Sequence, residues 1–283
     1  MESLDFTKPS QSPIYDPAVA TAFFKAAGVE QNVASGKTFF VEREHRGFFS
    51  TDDRMYLLLE GAVGLGVGGH PIDTVKPGEI FGEMATITHS PRSATATAKT
   101  ACRVIALDGH QFQKAIQINP DFALMLMSIM IDRLRITLAR LAMRKPLRGT
   151  LAGDGHRVFD EEMLDEIARE LGNPDLLRFT AGQTIIHAGE AGVLMYLPRE
   201  GRVVIRADGQ IFERVGAGGV FGEMALVDRA PRAANAVAET DCALMAVNRK
   251  QLLELVRSKP AIGLSLLKLL GQRLQAATAS SFK

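Results

Sequence analysis

One fourteen-residue segment occurs twice in this chain, and this repetition constrains the fold more than any other feature. Residues 81–94 contain Phe-Gly-Glu-Met-Ala and then Pro-Arg-Ser-Ala, and residues 221–234 contain Phe-Gly-Glu-Met-Ala and then Pro-Arg-Ala-Ala. Eight of the fourteen positions are identical, at one offset of 140 residues and without a gap. Solenoid repeats have periods of roughly 20–50 residues, so this much longer period indicates two tandem domains.

The same offset holds outside the two segments. It relates Met55-Tyr56-Leu57 to Met195-Tyr196-Leu197, Gly78 to Gly218, Cys102 to Cys242, Pro120 to Pro260, and Arg133-Leu134 to Arg273-Leu274. A chain of 283 residues is long enough for two domains that each bury a core. The predicted organisation is an N-terminal arm and helix (1–29), a first domain with a long C-terminal helix (30–145), a linker and helix (146–174), and a second domain (175–283).

The residues of the repeated segment suit a phosphate cradle. Its glycine lets the backbone approach a ligand closely, and the Glu-Met-Ala run can open a short helix whose free N–H groups favour an anion. An arginine follows nine residues after each glutamate, and its guanidinium matches phosphate oxygens. The glutamate only accepts hydrogen bonds, so it suits a hydroxyl pair instead. Phosphate together with sugar hydroxyls predicts a nucleotide.

Both segments resemble the phosphate-binding cassette of cyclic nucleotide-binding domains, a family that includes the catabolite activator protein and the regulatory subunits of cAMP-dependent protein kinase. The resemblance covers residues 30–145 and 175–280. It implies that the arginines pair with the cyclic phosphate, that the glutamates accept the ribose 2′-hydroxyl, and that backbone amides complete the cradle. The implied ligand-binding residues are Gly82, Glu83, Met84, Ala85, Arg92 and Ser93 in the first copy, and Gly222, Glu223, Met224, Ala225, Arg232 and Ala233 in the second. An alternative is that one cassette keeps the fold without binding a ligand.

A candidate base contact follows the first cassette. The run from Arg133 to Thr137 resembles the base-contacting turn of the catabolite activator protein, so Thr137 is predicted to reach an adenine edge. The alternative is that its hydroxyl faces a neighbouring carbonyl. The equivalent position in the second copy is Ala277, which leaves the adjacent Thr278 as the candidate there.

The residue after each cassette arginine bears on the choice of nucleotide. In cGMP-selective relatives a hydroxyl residue at this position reaches the guanine amino group, and Ala233 cannot do so. The second site is therefore predicted to prefer cAMP. Ser93 leaves the first site open between cAMP and cGMP, with cAMP favoured. No cofactor or metal is expected.

The pattern of apolar residues and turns predicts an α+β fold that is mainly β. Each domain is expected to be an antiparallel, jelly-roll-like β-roll with flanking helices. Strands are predicted at residues 38–41, 55–60, 62–67, 72–75, 95–99 and 103–107, and at 183–187, 194–197, 203–206, 211–215, 236–238 and 243–247. Helices are predicted from Asp16-Pro17 to Gly28, at 109–117, from Asn119-Pro120 to about Arg144, at 160–171 and from Pro260 onward.

Two local patterns allow alternative interpretations. Residues 64–69 satisfy the glycine spacing of a dinucleotide-binding loop, but no helix follows them, so a β-hairpin is predicted. In the long helix after the first cassette, an apolar stripe of seven residues recurs at helical spacing. It is expected to pack inside the chain, with a homodimer seam as the alternative.

Several features argue against membrane, DNA or catalytic functions. The net charge is +1, residues 1–17 lack a signal-peptide pattern, and the longest apolar stretch is too short to cross a bilayer. The two cysteines indicate buried thiols in a reducing compartment rather than a disulfide framework. The six histidines show no metal-ligand spacing, and no nucleophile-elbow or Walker sequence occurs. We therefore expect a soluble, cytoplasmic protein that is not an enzyme.

The regions that flank the repeats limit the partners through which the protein is expected to act. No helix-turn-helix follows the last predicted helix, so no DNA partner is expected. Residues 1–35 contain no arginine, which gives little support to a kinase pseudosubstrate. The leading hypothesis is a cytoplasmic cyclic-nucleotide receptor with two sites, which signals by helix and interdomain rearrangement to an unidentified effector protein. The alternative is a structural adaptor whose sites bind another ligand or none.

Overall fold

The computed structural model describes residues 16–44, 53–144, 157–207 and 210–281. It separates into two compact units, one ending at Ile129 and one beginning at Met130. The domain limits given above stay a prediction. Residues 1–15, 45–52 and 145–156 lie outside the described residues, and they include most of the predicted N-terminal arm and the first part of the predicted linker.

The strands of the first unit form two antiparallel sheets. In chain order the strands are Val29–Val33 (β1), Thr38–Phe40 (β2), Arg54–Glu60 (β3), Val63–Val67 (β4), His70–Val75 (β5), Ile80–Phe81 (β6), Thr95–Ala98 (β7) and Cys102–Asp108 (β8). The sheet orders are β1-β8-β3-β6 and β2-β7-β4-β5. Phe40, Tyr56, Leu58, Phe81 and Val104 belong to the core of this β-roll. Burial of such apolar side chains is the main stabilising contribution.

The second unit repeats this architecture. Its strands are Leu177–Phe179 (β9), Thr184–Ile186 (β10), Leu194–Glu200 (β11), Val203–Ala207 (β12), Gln210–Val215 (β13), Asn235–Ala238 (β14) and Cys242–Asn248 (β15). The sheet orders are β10-β14-β12-β13 and β11-β15-β9. The register is repeated as well, since Tyr196 pairs with Ala246 as Tyr56 pairs with Ala106. The predicted α+β fold of two β-rolls is confirmed.

Helices flank the two rolls. They are Pro17–Ala27 (α1), Glu83–Thr88 (α2), Gly109–Ile118 (α3), Asp121–Arg144 (α4), Glu161–Glu170 (α5), Glu223–Asp228 (α6), Arg249–Ser258 (α7) and Pro260–Ser281 (α8). The predicted start of α1 is confirmed, because the Asp16 carboxylate accepts a hydrogen bond from the Ala18 amide at 2.8 Å. The strands β1, β6 and β9 and the helix α7 were not predicted.

The structure bears on both ambiguous patterns. Residues 63–75 form the antiparallel hairpin of β4 and β5, so the hairpin prediction is confirmed. In α4, the stripe residue Phe122 is fully buried and its ring stacks on Phe23 of α1, with centroids 3.6 Å apart. This part of the stripe packs inside the chain, and a homodimer stays a prediction.

Cys102 and Cys242 are free and buried, as predicted. Each thiol lies near the start of its strand, β8 or β15, and contributes to the core of its roll. Within the described part of the chain, no helix is both long and apolar enough to span a bilayer.

Candidate functional site

The glycine of each cassette holds a left-handed backbone conformation. Gly82 and Gly222 precede the short helices α2 and α6 with φ of 77° and 81°. A Cβ atom at Gly222 would lie 2.8 Å from Nη1 of Arg232, and one at Gly82 would lie 3.1 Å from Nη1 of Arg92. Glycine is therefore favoured twice, by its backbone conformation and by the arginine that lies against it.

Arg232 is anchored by backbone carbonyl groups. Its Nη1 donates to the Gly222 carbonyl at 2.7 Å, and its Nη2 donates to the Leu194 carbonyl at 2.5 Å. The residue is only 9% exposed, and this burial lowers its pKa below the ordinary arginine value. A guanidinium has five N–H donors and stays charged at physiological pH, so it retains donors for an anion while its position is fixed.

Arg92 has the same anchors in the first unit. Its Nη1 donates to the Gly82 carbonyl at 2.8 Å, and its Nη2 donates to the Arg54 carbonyl at 3.0 Å. Burial lowers the pKa of Arg92 as well, although Asp53 acts in the opposite direction. The two repeats therefore hold their cassette arginines in equivalent positions.

The surroundings of the two arginines differ. Oδ1 of Asp53 lies 3.7 Å from Nη2 of Arg92, and the Arg92 guanidinium lies 4.2 Å from the ring centroid of Phe40. Val193 occupies the position equivalent to Asp53 in the second repeat and is 68% exposed. Arg92 thus has a neighbouring carboxylate, whereas the second repeat has an apolar residue at the equivalent position.

The second cassette glutamate belongs to a buried ion-pair network. Oε1 of Glu223 accepts from Nη1 of Arg273 at 2.7 Å, and Arg273 also donates to both carboxylate oxygens of Glu213 at 3.0 Å. Burial acts to lower the pKa of Arg273, but the two carboxylates outweigh it and the net direction is upward. Arg273 thus orients Glu223 and compensates its charge.

Sequence reasoning did not single out Arg273, Glu213 or Asp53 as functional residues. A signal existed for the first two, because the 140-residue offset relates Arg273 to Arg133 and Glu213 to Asp73. One oxygen of Asp73, Oδ2, is buried and has no hydrogen-bond partner among the described residues. The ionic network around the cassette therefore differs between the two repeats.

A cavity of about 410 Å³ lies within the second unit. Its polar part contains Arg232, Glu223 and Arg273, and its apolar part includes Ile205 and Phe212. The C-terminal half of α4 forms another part of the wall through Leu134, Arg135, Leu138 and Ala139. This combination of convergent charged groups and apolar surface is typical of a small-molecule site.

The first unit has a smaller polar hollow. Its volume is about 100 Å³, and it is lined by Phe39, Phe40, Glu44, Asp53, Arg54, Tyr56 and Arg92. Because carboxylates and the cassette arginine share this hollow, its electrostatic character is mixed.

The structure brings together all the cassette residues predicted for the second site. Gly222, Glu223, Met224, Ala225, Arg232 and Ala233 all line the larger cavity. In the first unit, Gly82 and Arg92 are joined by a hydrogen bond, and Glu83 and Ala85 are buried in α2. Met84 lies in α2, and Ser93 directly follows Arg92 in the same cassette. The ligand-binding roles of all these residues stay predictions.

The two predicted base contacts are bonded within their own helices. The hydroxyl of Thr137 donates to the Arg133 carbonyl at 2.8 Å, and the residue is 3% exposed. The hydroxyl of Thr278 donates to the Leu274 carbonyl at 2.8 Å. Neither threonine is among the residues that line the larger cavity. Their roles in base recognition are untested.

No metal-binding cluster accompanies these features in the described part of the chain. Groups of three or more histidine, cysteine, aspartate or glutamate side chains in a ligating arrangement do not occur there.

The chain belongs to the cyclic nucleotide-binding domain family. The family model for this domain matches residues 46–119 and residues 176–259, which together make up more than half of the chain. Each match contains one of the cassettes described above. The first match covers β3 to β8, and the second covers β9 to β15.

Among known proteins, the chain is similar to cyclic-nucleotide-related regulators. It is 28% identical over 190 residues to the cAMP-dependent protein kinase regulatory subunit of Eremothecium gossypii, which covers 66% of this chain and 36% of that subunit. It is 36% identical over 104 residues to the cyclic AMP receptor protein of Thermus thermophilus, covering 35% of this chain and 48% of that protein. The chain thus spans less than half the length of these relatives.

A solved structure with high coverage is the regulatory domain of Toxoplasma gondii PKA, crystallised with cAMP. The match covers 94% of this chain and 90% of that one, at 22% sequence identity and a TM-score of 0.32. The crystal structure of the Thermus thermophilus catabolite activator protein matches 44% of this chain and 59% of that one, at 30% identity and a TM-score of 0.38.

Proposed function

We propose that this chain is a cyclic-nucleotide receptor with two sites, of which the second prefers cAMP. The observation that supports this most directly is the backbone-anchored arginine beside the cavity of the second unit. Arg232 is held by two carbonyl groups, so its orientation does not depend on the ligand. A preorganised guanidinium pairs with a phosphate at little additional entropic cost.

The chemistry of the second cavity fits the parts of a cyclic nucleotide. Arg232 suits the phosphate, and Glu223 suits the ribose hydroxyl because a carboxylate only accepts hydrogen bonds. The apolar part of the cavity suits the faces of a purine. The methyl side chain of Ala233 offers no acceptor for the guanine amino group, which supports cAMP over cGMP in this site. A volume of about 410 Å³ is in the range for small-molecule sites.

The proposed output is regulation of a protein partner rather than catalysis. The similar proteins are named as kinase regulatory subunits and a cyclic AMP receptor protein, which makes a protein kinase the first effector class to test. Binding at the two sites would be transmitted by movement of the helices that follow each roll and by rearrangement of the two domains. The partner itself is unidentified.

A structural adaptor is the second candidate. The specific observation that favours it in the first unit is the carboxylate of Asp53, 3.7 Å from the cassette arginine. An internal counterion lowers the attraction of Arg92 for an external anion. One site could then bind cAMP while the other serves a structural role.

Isothermal titration calorimetry of the nucleotide-free full chain tests this proposal. We expect two cAMP molecules per chain, and loss of one of them in each of the variants Arg92→Leu and Arg232→Leu. Each substitution removes a charge-assisted phosphate contact, so affinity at that site should fall about a hundredfold or more. Arg178→Leu is the matched control, because the Arg178 side chain is exposed and its ion pair is with Glu200, outside the cassettes.

The outcomes separate the two candidates. Two sites that each depend on their own arginine would support the receptor. Absence of binding heat with both cAMP and cGMP, with carried-over ligand excluded, would refute it and favour the adaptor. Equal or tighter binding of cGMP at the second site would refute the assigned nucleotide preference.

A further inference from the structure

The wall that α4 contributes to the second cavity is built from one helix face. Leu134 and Leu138 are four residues apart, so their side chains lie on the same side of the helix. Leu134 is almost fully buried and Leu138 is partly buried, and both line the cavity. Ile136 lies between them in sequence but is exposed, which marks the opposite face of α4.

An ion pair joins this part of α4 to the cassette. Arg135 donates through both Nε and Nη2 to the two carboxylate oxygens of Asp228, with Nη2 3.2 Å from Oδ1. Asp228 is the last residue of α6, and its side chain is 5% exposed, compared with 22% for Arg135. Its Oδ1 also accepts from the Ala230 amide at 2.9 Å. A bidentate ion pair is geometrically specific, and at this degree of burial solvent screens its electrostatic attraction less.

This ion pair is not a feature of the sequence repeat. At the 140-residue offset, the counterpart of Arg135 is Gln275 and the counterpart of Asp228 is Thr88, so neither charge recurs. The counterpart of Leu138 is Thr278, which does not line the cavity. The second cassette therefore obtains this wall from α4, whereas α8 contributes Arg273 to the polar part of the cavity.

We propose that α4 is the base-facing wall of the second site, and that Arg135 is a positioning residue that holds this wall on the cassette through Asp228. The inference rests on the proposed function, because it assigns surroundings to the base of a bound cyclic nucleotide. Arg232 and Glu223 in the polar part of the cavity suit the phosphate and the ribose. The purine then contacts the apolar residues, among which Leu134 and Leu138 belong to α4.

The proposal makes nucleotide affinity depend on a helix outside the repeat that carries the cassette. Arg135 lines the cavity, and its Nε and Nη2 are both bonded to Asp228, so its proposed role is to hold α4 on the cassette. Loss of either Arg135 or Asp228 would release α4 from the cassette. It would also leave the remaining charge unpaired in a partly buried position. The two single substitutions should therefore have similar effects, and the double substitution should add little to either.

The first experiment measures the local stability of the α4 segment that lines the cavity, with no nucleotide present. Amide hydrogen exchange over residues 134–139 is compared in the full unliganded chain and in Arg135→Gln and Asp228→Asn variants. We expect about tenfold faster exchange in both variants, since the ion pair restricts local opening of the helix. The control is Arg178→Gln, which removes an exposed arginine pair in the same unit. Unchanged exchange in both variants would overturn the positioning role.

The second experiment measures cAMP binding in an Arg92→Leu background, so that the signal reports on the second site. We expect Arg135→Gln and Asp228→Asn each to weaken binding about tenfold, and their combination to weaken it no more than about twofold further. Leu138→Ala should weaken cAMP binding about fivefold through lost base contact. The matched control Ile136→Ala changes a neighbouring aliphatic residue on the exposed face and should leave the affinity unchanged.

A base-free ligand separates contact with the purine from general damage to the site. Cyclic ribose 3′,5′-phosphate keeps the phosphate and the sugar hydroxyl but has no purine. Leu138→Ala should lower the affinity for cAMP and leave that for the base-free ligand within about twofold, because only the apolar contact is lost. Equal weakening of both ligands would overturn the base-facing assignment.

Failure of this inference can be distinguished from failure of the proposed function. If the unmutated chain binds no cyclic nucleotide, the proposed function fails and the base-facing assignment fails with it. If the second site binds cAMP but Arg135→Gln, Asp228→Asn and Leu138→Ala leave the affinity unchanged, only the inference is refuted.

Discussion

The guanidinium of Arg273 lies 2.7 Å from the carboxylate of Glu223, and both side chains are less than a tenth exposed. The same guanidinium pairs with Glu213, which is equally buried. Two carboxylates so close together repel each other in a low-dielectric environment unless a cation lies between them. Arg273 therefore stabilises the second unit and fixes the orientation of Glu223.

Replacing Arg273 with glutamine should strongly destabilise the second unit. The substitution leaves two buried carboxylates without a cation, and breaking a buried pair in this way costs about 3–5 kcal/mol. Urea-induced unfolding of the full chain measures the loss. Arg103→Gln is the matched control, because Arg103 also pairs with two glutamates, Glu30 and Glu60, but all three side chains are well exposed. Equal losses of unfolding free energy in the two variants would contradict the prediction.

Much of the fold could be predicted because the chain contains two copies of the same domain sequence. A strand that is ambiguous in one copy can be checked against its counterpart, and Asp16 with Pro17 marks the start of α1 directly. The strand β1 was missed because Val29–Val33 consists mostly of polar residues and its burial pattern is weak. The helix α7 was missed although Asn248 and Gln251 form a capping box, which is a recognisable start signal.

The site was predictable only where its residues are close in sequence. The cassette brings its glycine, glutamate and arginine within eleven residues, so a motif reveals them. Arg273 is 50 residues from Glu223 and 60 from Glu213, and no local pattern indicates that they meet. The pair of Arg135 and Asp228 is not repeated at the 140-residue offset, so comparison of the two copies could not find it either.

Removing the carboxylate next to Arg92 should strengthen phosphate binding in the first unit. Asp53 lies 3.7 Å from Nη2 of Arg92, and it would repel a cyclic phosphate that approaches the same guanidinium. The Asp53 side chain is partly exposed, so solvent screening limits the effect to about threefold to tenfold tighter cAMP binding in Asp53→Asn. Two-site titration calorimetry measures this change, with the second site as an internal reference.

The reciprocal substitution in the second unit is the control for this effect. Val193 occupies the equivalent position, so Val193→Asp should weaken the second site while Val193→Asn leaves it nearly unchanged. Higher salt should reduce the difference between the aspartate and asparagine variants. Weaker cAMP binding at the first site in Asp53→Asn would show that the carboxylate positions Arg92 rather than competing with the ligand.

A methyl group at Gly222 should displace the second-site arginine. The residue has φ of 81°, and the added Cβ would lie 2.8 Å from Nη1 of Arg232. Gly222→Ala should therefore destabilise the fold by about 1–2 kcal/mol and also reduce cAMP affinity at the second site. Gly182→Ala separates the two effects, because Gly182 has a similar φ of 87° but its Cβ would meet no atom within 4 Å. Loss of cAMP affinity in both variants would argue against the steric explanation.

The buried thiol of Cys242 should make the protein less stable at alkaline pH. Burial raises the pKa of this thiol, so the folded state keeps the proton when the unfolded chain has lost it. Stability then falls as the pH rises above about 8.5, the ordinary thiol value. Burial also raises the pKa of Tyr196, which adds a second decline that begins only near pH 10.

Substitution of Cys242 separates these two contributions to the pH dependence. In Cys242→Ala, the free energy of unfolding should stay level between about pH 8.5 and 10, and the decline due to Tyr196 should remain above that range. Cys242→Ser provides the matched comparison, because its hydroxyl can donate to the carbonyl groups of Arg202 and Thr240 that the thiol contacts, yet does not titrate. The two variants should differ in their free energy of unfolding at neutral pH. In both, this free energy should stay level between about pH 8.5 and 10. A decline from pH 8.5 that persists in both would mean that another group controls alkaline unfolding.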